Sequence, residues 1–200
     1  MLQCQAEPTE STDSTSDTFS QDLLLDSLKP TEDNIPGPFH RPNAPYRAKI
    51  VPPLVDGTVL IISGRVWGYD IKKPLSNTVI DIWQADHAGH YDNDDPVRPP
   101  AKGSFKYRAR LITDETGFYE YETIYPGHYP LSTNQWRAAH IHYKVQHKDY
   151  SPLITQLFFK GDRYNQGDAF IKESLIIDLT EKKIGSKSYK EGIFNIVLNK

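Results

Sequence analysis

From residue 58 onward the apolar side chains come in short alternating or β-branched runs, each closed by turn-forming residues, and this pattern argues against a fold built on long helices. Residues 58–67 (TVLIISGRVW) are apolar and rich in Val and Ile; residues 68–77 supply turn chemistry, and residues 78–84 make a second strand candidate. Two such runs about a polar turn predict a hairpin or a tight β-connection. Over 103–113, Phe105, Tyr107, Ala109 and Leu111 alternate with Lys106, Arg108 and Arg110, which predicts a strand with one face in the core and one in water. After a turn at 113–117, further strands are expected over 118–124, 138–146, 153–159, 174–179 and 192–198. About eight short strands with long loops and little helix predict an all-β fold, a β-sandwich, over residues 31–200. Fifteen prolines agree with that class.

Residues 1–30 read as a polar tail and short linker. The stretch 7–17 has no apolar face to bury, so disorder is expected over 1–20; residues 21–29 can make a short helix before Pro30. A basic n-region followed by an apolar h-region is not visible. Cys4 is an exposed thiol on this tail or, alternatively, the remnant of a lipid anchor, which leaves a cytoplasmic location the simpler expectation and an extracytoplasmic one the alternative. A single cysteine excludes an internal disulfide framework. A net charge of -3 gives no electrostatic footprint for nucleic acid, and no apolar run approaches the roughly 20 residues that span a bilayer. The arm 35–46 carries four prolines' worth of restricted backbone and is expected to lie extended across a surface, with His40 as a packing or surface residue.

The chemistry gathers at residues 135–143 (QWRAAHIHY). His140 and His142 share a strand face at roughly 6.5–7 Å along the backbone, a spacing from which two imidazoles can lean onto one metal ion. Arg137 brings a fixed charge near them. Loops 85–95, 125–130 and 134–137 hang from the strand ends, where function usually sits. His87, His90, His128 and His147 have no motif around them and read as surface or packed residues. A cupin-type site would add a nearby glutamate, but the next one after His142 is Glu173. Structural zinc would need more cysteine. No nucleophile elbow, P-loop or dinucleotide fingerprint appears. A zinc hydrolase built on the His pair and a non-catalytic β-sandwich binding module remain as alternatives at this point.

Six stretches together are more specific. They are Gly64-Arg-Val-Trp67, residues 74–85 (PLSNTVIDIWQA), Gly89-His-Tyr91, residues 123–130 (TIYPGHYP), residues 136–142 (WRAAHIH) and residues 153–162 (LITQLFFKGD). In order and spacing they resemble the intradiol ring-cleavage dioxygenases, with the iron-bearing β chain of protocatechuate 3,4-dioxygenase as the nearest likeness. The resemblance implies a mononuclear non-haem Fe(III) held by Tyr91, Tyr129, His140 and His142, and a catechol-type substrate cleaved with O2 to a cis,cis-muconate. It implies that Tyr129 leaves the metal and takes up a proton as substrate binds, and that Arg137 stabilises negative charge on the ring. Gln156 would line the pocket, orient oxygen or water, or pack as a hydrogen-bonded core residue; Trp83 would be core. The resemblance also implies a homo-oligomer or a related α-type partner chain. Leu131 stands where relatives often carry an aromatic residue, and the longer helical dimerisation segment of catechol 1,2-dioxygenases has no counterpart. Protocatechuate, catechol, hydroxyquinol and larger catechols all stay open as substrates.

Overall fold

A computed structural model describes residues 28–200. The expectations for residues 1–20, including Cys4, lie outside the described residues, as does most of the helix expected over 21–29; Leu28 and Lys29, at its end, are not helical. Among the described residues the chain forms thirteen strands and one 3-10 turn, Glu173–Leu175. The strands are β1 (Val59–Gly68), β2 (Lys73–Pro74), β3 (Val79–Gln84), β4 (Arg108–Ile112), β5 (Phe118–Ile124), β6 (Tyr129–Ser132) and β7 (Gln135–Arg137). They continue with β8 (His140–Gln146), β9 (Leu153–Phe159), β10 (Ile176–Ile177), β11 (Leu179–Ile184), β12 (Lys187–Ile193) and β13 (Ile196–Leu198).

Two sheets form the layers of an all-β sandwich. One runs β10-β9-β8-β3-β4, and the other is organised on β1, which pairs with β12, β13, β2 and β5. The ten residues of β1 serve two neighbours on each side: residues 59–65 pair with β5, and Trp67 and Gly68 with β2. β1 turns Leu60, Ile62 and Val66 inward, where they meet Ile80 and Ile82 of β3 and Tyr143 of β8 in one core. Each such aliphatic side chain contributes roughly 1.5–3 kcal/mol when removed from water. The layers are also joined by a polar contact, with Tyr121 and Tyr143 hydroxyls 2.5 Å apart in the buried interior.

Several expectations change. β1 and β3 are not a hairpin; they fall in opposite sheets, because the turn after β1 pairs β2 back onto it before the chain crosses over. The strand expected over 103–113 starts only at Arg108, and Arg108 is buried rather than facing water, since an ion pair with Asp92 and hydrogen bonds to Phe39 and Asn93 replace its hydration. The strand expected over 192–198 is broken at 194–195. There the Asn195 side chain accepts the Arg65 N–H that a strand carbonyl would otherwise take, and β13 resumes the parallel pairing to β1 in the same register. The hairpin of β11 and β12 was not anticipated, because its largely exposed, charged residues carry no apolar alternation.

Candidate metal centre

Two loops from opposite sheets carry the phenols. Residues 85–91 follow β3, and residues 125–128 follow β5. Gln84, fully buried, ties their roots: its amide donates to the Ile124 and Ala85 carbonyls and accepts from the Thr123 hydroxyl. Further out the loops interlock, with Gly127 N–H donating to the Asp86 carbonyl at 2.7 Å. Gly89 adopts φ +91°, and a Cβ on it would lie 2.1 Å from the His128 oxygen; a Cβ on Gly127 would lie 2.3 Å from the Gly89 nitrogen. This close approach brings Tyr91 and Tyr129 together, with ring centroids 5.7 Å apart.

The imidazoles come from the first turn of pairing in β8. His142 lies opposite Trp83 of β3 and Gln156 of β9, and it stacks on Trp83 at 4.8 Å with an interplanar angle of 1°. The Nδ1 of His140 is 2.7 Å from the Ala138 carbonyl, which can only accept, so the proton sits on Nδ1 and the Nε2 lone pair points inward. That Nε2 lies 3.1 Å from His142 Nε2, 3.3 Å from the Tyr91 hydroxyl and 3.4 Å from the Tyr129 hydroxyl. Donors that share an ion at about 2.0–2.1 Å are about 2.9–3.6 Å apart along the edges of its coordination shell. Among the described residues, His, Cys, Asp and Glu alone form no cluster of three or more suited to a metal; what joins the two imidazoles is a pair of phenols. Burial raises the pKa of Tyr91 well above the phenol range and raises that of Tyr129, while it lowers His140 to about 3 and His142 well below the imidazole range. Without a cation the four groups are therefore neutral; a bound cation would favour ionisation of the two phenols and take the imidazoles in the neutral form they already hold. Hard oxygen donors with imidazoles suit ferric iron, so the residues fit the ion that the resemblance implies.

Arg137, with only 2% of its surface exposed, stands behind Tyr129. Its Nη1 donates to the Tyr129 hydroxyl at 3.3 Å, its Nε to Asp168 at 2.8 Å and its Nη2 to the Gln156 amide oxygen at 2.5 Å. The Phe170 ring lies under the guanidinium at 4.6 Å. Of the sequence-derived candidates, Tyr91, Tyr129, His140, His142 and Arg137 thus meet at one place. Gln156 lies opposite His142 on β9, but its polar atoms are committed elsewhere: it is fully buried, and its amide is taken up by Arg137, Asn34 and the Ile35 carbonyl.

The profile of a protein family described as Dioxygenase matches residues 36–200. The chain belongs to the intradiol dioxygenase family. It is similar to the 6-chlorohydroxyquinol 1,2-dioxygenase of Cupriavidus pinatubonensis, with 32% identity over 186 residues, 84% of this chain and 64% of that protein. It is also similar to the protocatechuate 3,4-dioxygenase beta chain of Burkholderia cepacia, with 38% identity over 115 residues, 53% of this chain and 46% of that one. The solved 3-chlorocatechol 1,2-dioxygenase of Rhodococcus opacus superposes with a TM-score of 0.78 at 26% identity, over 91% of this chain and 78% of that chain. The chain spans less than two thirds of the length of these two sequence relatives.

In this intradiol dioxygenase family member a cleft of about 320 Å³ opens over the two phenols. Phe39 of the proline-rich arm roofs it, stacked on Tyr91 at 4.3 Å. Arg108 holds that arm by donating to the Phe39 carbonyl and to Asp92, which also accepts from Arg41. Trp136 and His128 line the outer part; His128 donates to the buried Asp162 at 2.7 Å. Asp168, Asp92 and Arg108 were missed as site residues. Their partners lie 31 and 16 residues away, with no local motif, and only the unusual burial of the charges identifies them.

Proposed function

We propose that this chain is a non-haem ferric intradiol dioxygenase. It would cleave a catechol between its two hydroxyl-bearing carbons and add both atoms of O2, giving a cis,cis-muconate-type product. The convergence of Tyr91, Tyr129, His140 and His142 within hydrogen-bonding distance of one ring nitrogen carries this reading. These four residues would hold the ion, which when bound supplies a Lewis acid that withdraws electron density from a catecholate.

The chain's own groups supply the rest. Tyr129 is partly exposed at the cleft, and Arg137 at its oxygen offsets part of the burial penalty on its phenolate, which when metal-bound can accept a proton from an incoming catechol hydroxyl. Arg137 is fixed by Asp168 and Gln156, so its charge is already aimed at the Tyr129 oxygen and would stabilise negative charge building beside it without reorganisation. Tyr91 lies beneath Phe39 and Trp83 backs His142, which keeps this side of the centre dry. Among the described residues that line the cleft there is no Lys or Arg. This lining favours uncharged catechols over catechols that carry a ring carboxylate.

Oxygen uptake by iron-loaded protein over a panel of catechols, with product identification, tests the reading. Muconate-type products, with a higher kcat/KM for catechol or hydroxyquinol than for protocatechuate, are expected. Extradiol products, zinc in place of iron on elemental analysis, or no turnover across the panel would overturn it.

A further inference from the structure

Arg137 is held by Gln156, and Gln156 is in turn held from a segment that lies before the family match at 36–200. Asn34 crosses the end of β9, its N–H donating to the Ile154 carbonyl at 2.8 Å. Its Oδ1 accepts from Gln156 Nε2 at 3.1 Å, and its Nδ2 donates to the Phe170 carbonyl at 2.8 Å. Gln156 Nε2 also donates to the Ile35 carbonyl at 2.8 Å. Two oxygen acceptors on that side fix which end of the Gln156 amide faces Arg137: the oxygen, not the nitrogen. The reversed amide would aim N–H groups at a guanidinium that can only donate. The second bond of Asn34 reaches the other support of the same guanidinium, since Phe170 carries the ring beneath it and its N–H donates to Asp168 at 2.9 Å. One side chain thus closes a ring of contacts through Gln156, Arg137, Asp168 and Phe170.

We propose that Asn34 is a positioning residue for Arg137, so that the segment before the family match is a working part of the centre. The proposal rests on the dioxygenase reading for its kinetic consequence, and on geometry alone for its hold on the guanidinium. Displacing a fixed group by about 1 Å can cost on the order of a hundredfold in rate, so a loosened Arg137 lowers kcat while leaving ground-state binding largely alone.

The test uses Asn34→Ala, Gln156→Ala, the double variant and Lys172→Ala in the full chain. Lys172 holds the same segment through Asp33 without touching Gln156, so its variant controls for general loosening. The expected result for Asn34→Ala is a fall in kcat of about tenfold or more with KM within about twofold. In the Gln156→Ala background the substitution has a smaller effect, because only the bond to the Phe170 carbonyl is left to lose, and Lys172→Ala keeps kcat within about twofold. Nitrogen-15 NMR of the iron-free protein supplies a readout independent of turnover: resolved Arg137 Nη signals in the wild type coalesce in Asn34→Ala. Unchanged kcat, the same loss in both backgrounds, an equal loss in Lys172→Ala, or unaltered Nη signals would overturn the proposal. Should the wild type fail to turn over any catechol, the functional reading falls, while the NMR comparison still decides whether Asn34 holds Arg137.

Discussion

A guanidinium as deeply buried as that of Arg137 persists only because each face of it is answered: a carboxylate at Nε, an amide oxygen at Nη2 and a phenol at Nη1. Asp168 is the partner that matters most for stability, because it also accepts the Ala138 N–H at 2.9 Å, just ahead of the two imidazoles. Asp168→Ala leaves a buried cation without its counter-charge and is expected to cost about 3–5 kcal/mol of folding stability, measured by chemical denaturation of the iron-free protein. A loss below about 1 kcal/mol would mean that the pair is not buried as described. Of the groups at this scale, the sequence made His140 and His142 visible through their spacing, whereas Tyr91 and Tyr129 emerged only from the family resemblance. Asp168 and Asn34 could not be found that way. Each acts on a partner far along the chain, and nothing in their neighbours' pattern marks an aspartate or asparagine as buried.

At the scale of the element, the centre depends on two loops from different sheets locking at Gly89 and Gly127. Gly127→Ala would push a methyl group against the backbone of residues 87 and 89, with contacts of 2.3–2.7 Å that only backbone movement can relieve. The expected cost is about 1–3 kcal/mol, with a matching loss of iron affinity because both phenols shift together. Thermal denaturation with and without iron measures both effects. Strand positions were legible from an apolar face or an apolar run: β5 occurs at the residues its alternation indicates, and β9, buried on both faces, at those of its apolar run. They were not legible where pairing is satisfied in the open, as in β11 and β12, or where a strand has only a few residues, as in β6 and β7. Arg108 shows the converse failure, since a charged residue on an alternating strand reads as solvent-facing even when Asp92 and Asn93 receive it inside.

Across the whole molecule, the C-terminus is clamped to the turn after β1. Lys200 and the Tyr150 hydroxyl both contact the Asp70 carboxylate, at 2.5 Å and 2.6 Å. Lys200, then Tyr150, hold the pKa of Asp70 at about 2, below its ordinary 3.8. A depressed carboxylate pKa stabilises the fold above the ordinary value, and the contribution disappears as pH falls through the folded one. The stability gap between wild type and Asp70→Asn should therefore be full above pH 3.8 and close as pH falls toward about 2, as acid-dependent denaturation would record. A gap that does not change with pH would contradict the clamp. The sandwich class was legible from short alternating runs, but which strands share a sheet was not: the crossing between β1 and β3 is set by packing of residues far apart in the chain.

The central claim is that two phenol oxygens and two imidazole nitrogens from three separate segments hold one ferric ion. Visible absorption and iron content of iron-loaded protein, compared with Tyr91→Phe, Tyr129→Phe and the double variant, test it most directly. The account predicts a coloured wild type with tyrosinate-to-iron charge transfer, a weakened and shifted band in each single variant, and none in the double. A wild type that binds iron without colour, or a band that survives loss of both phenols, would contradict it.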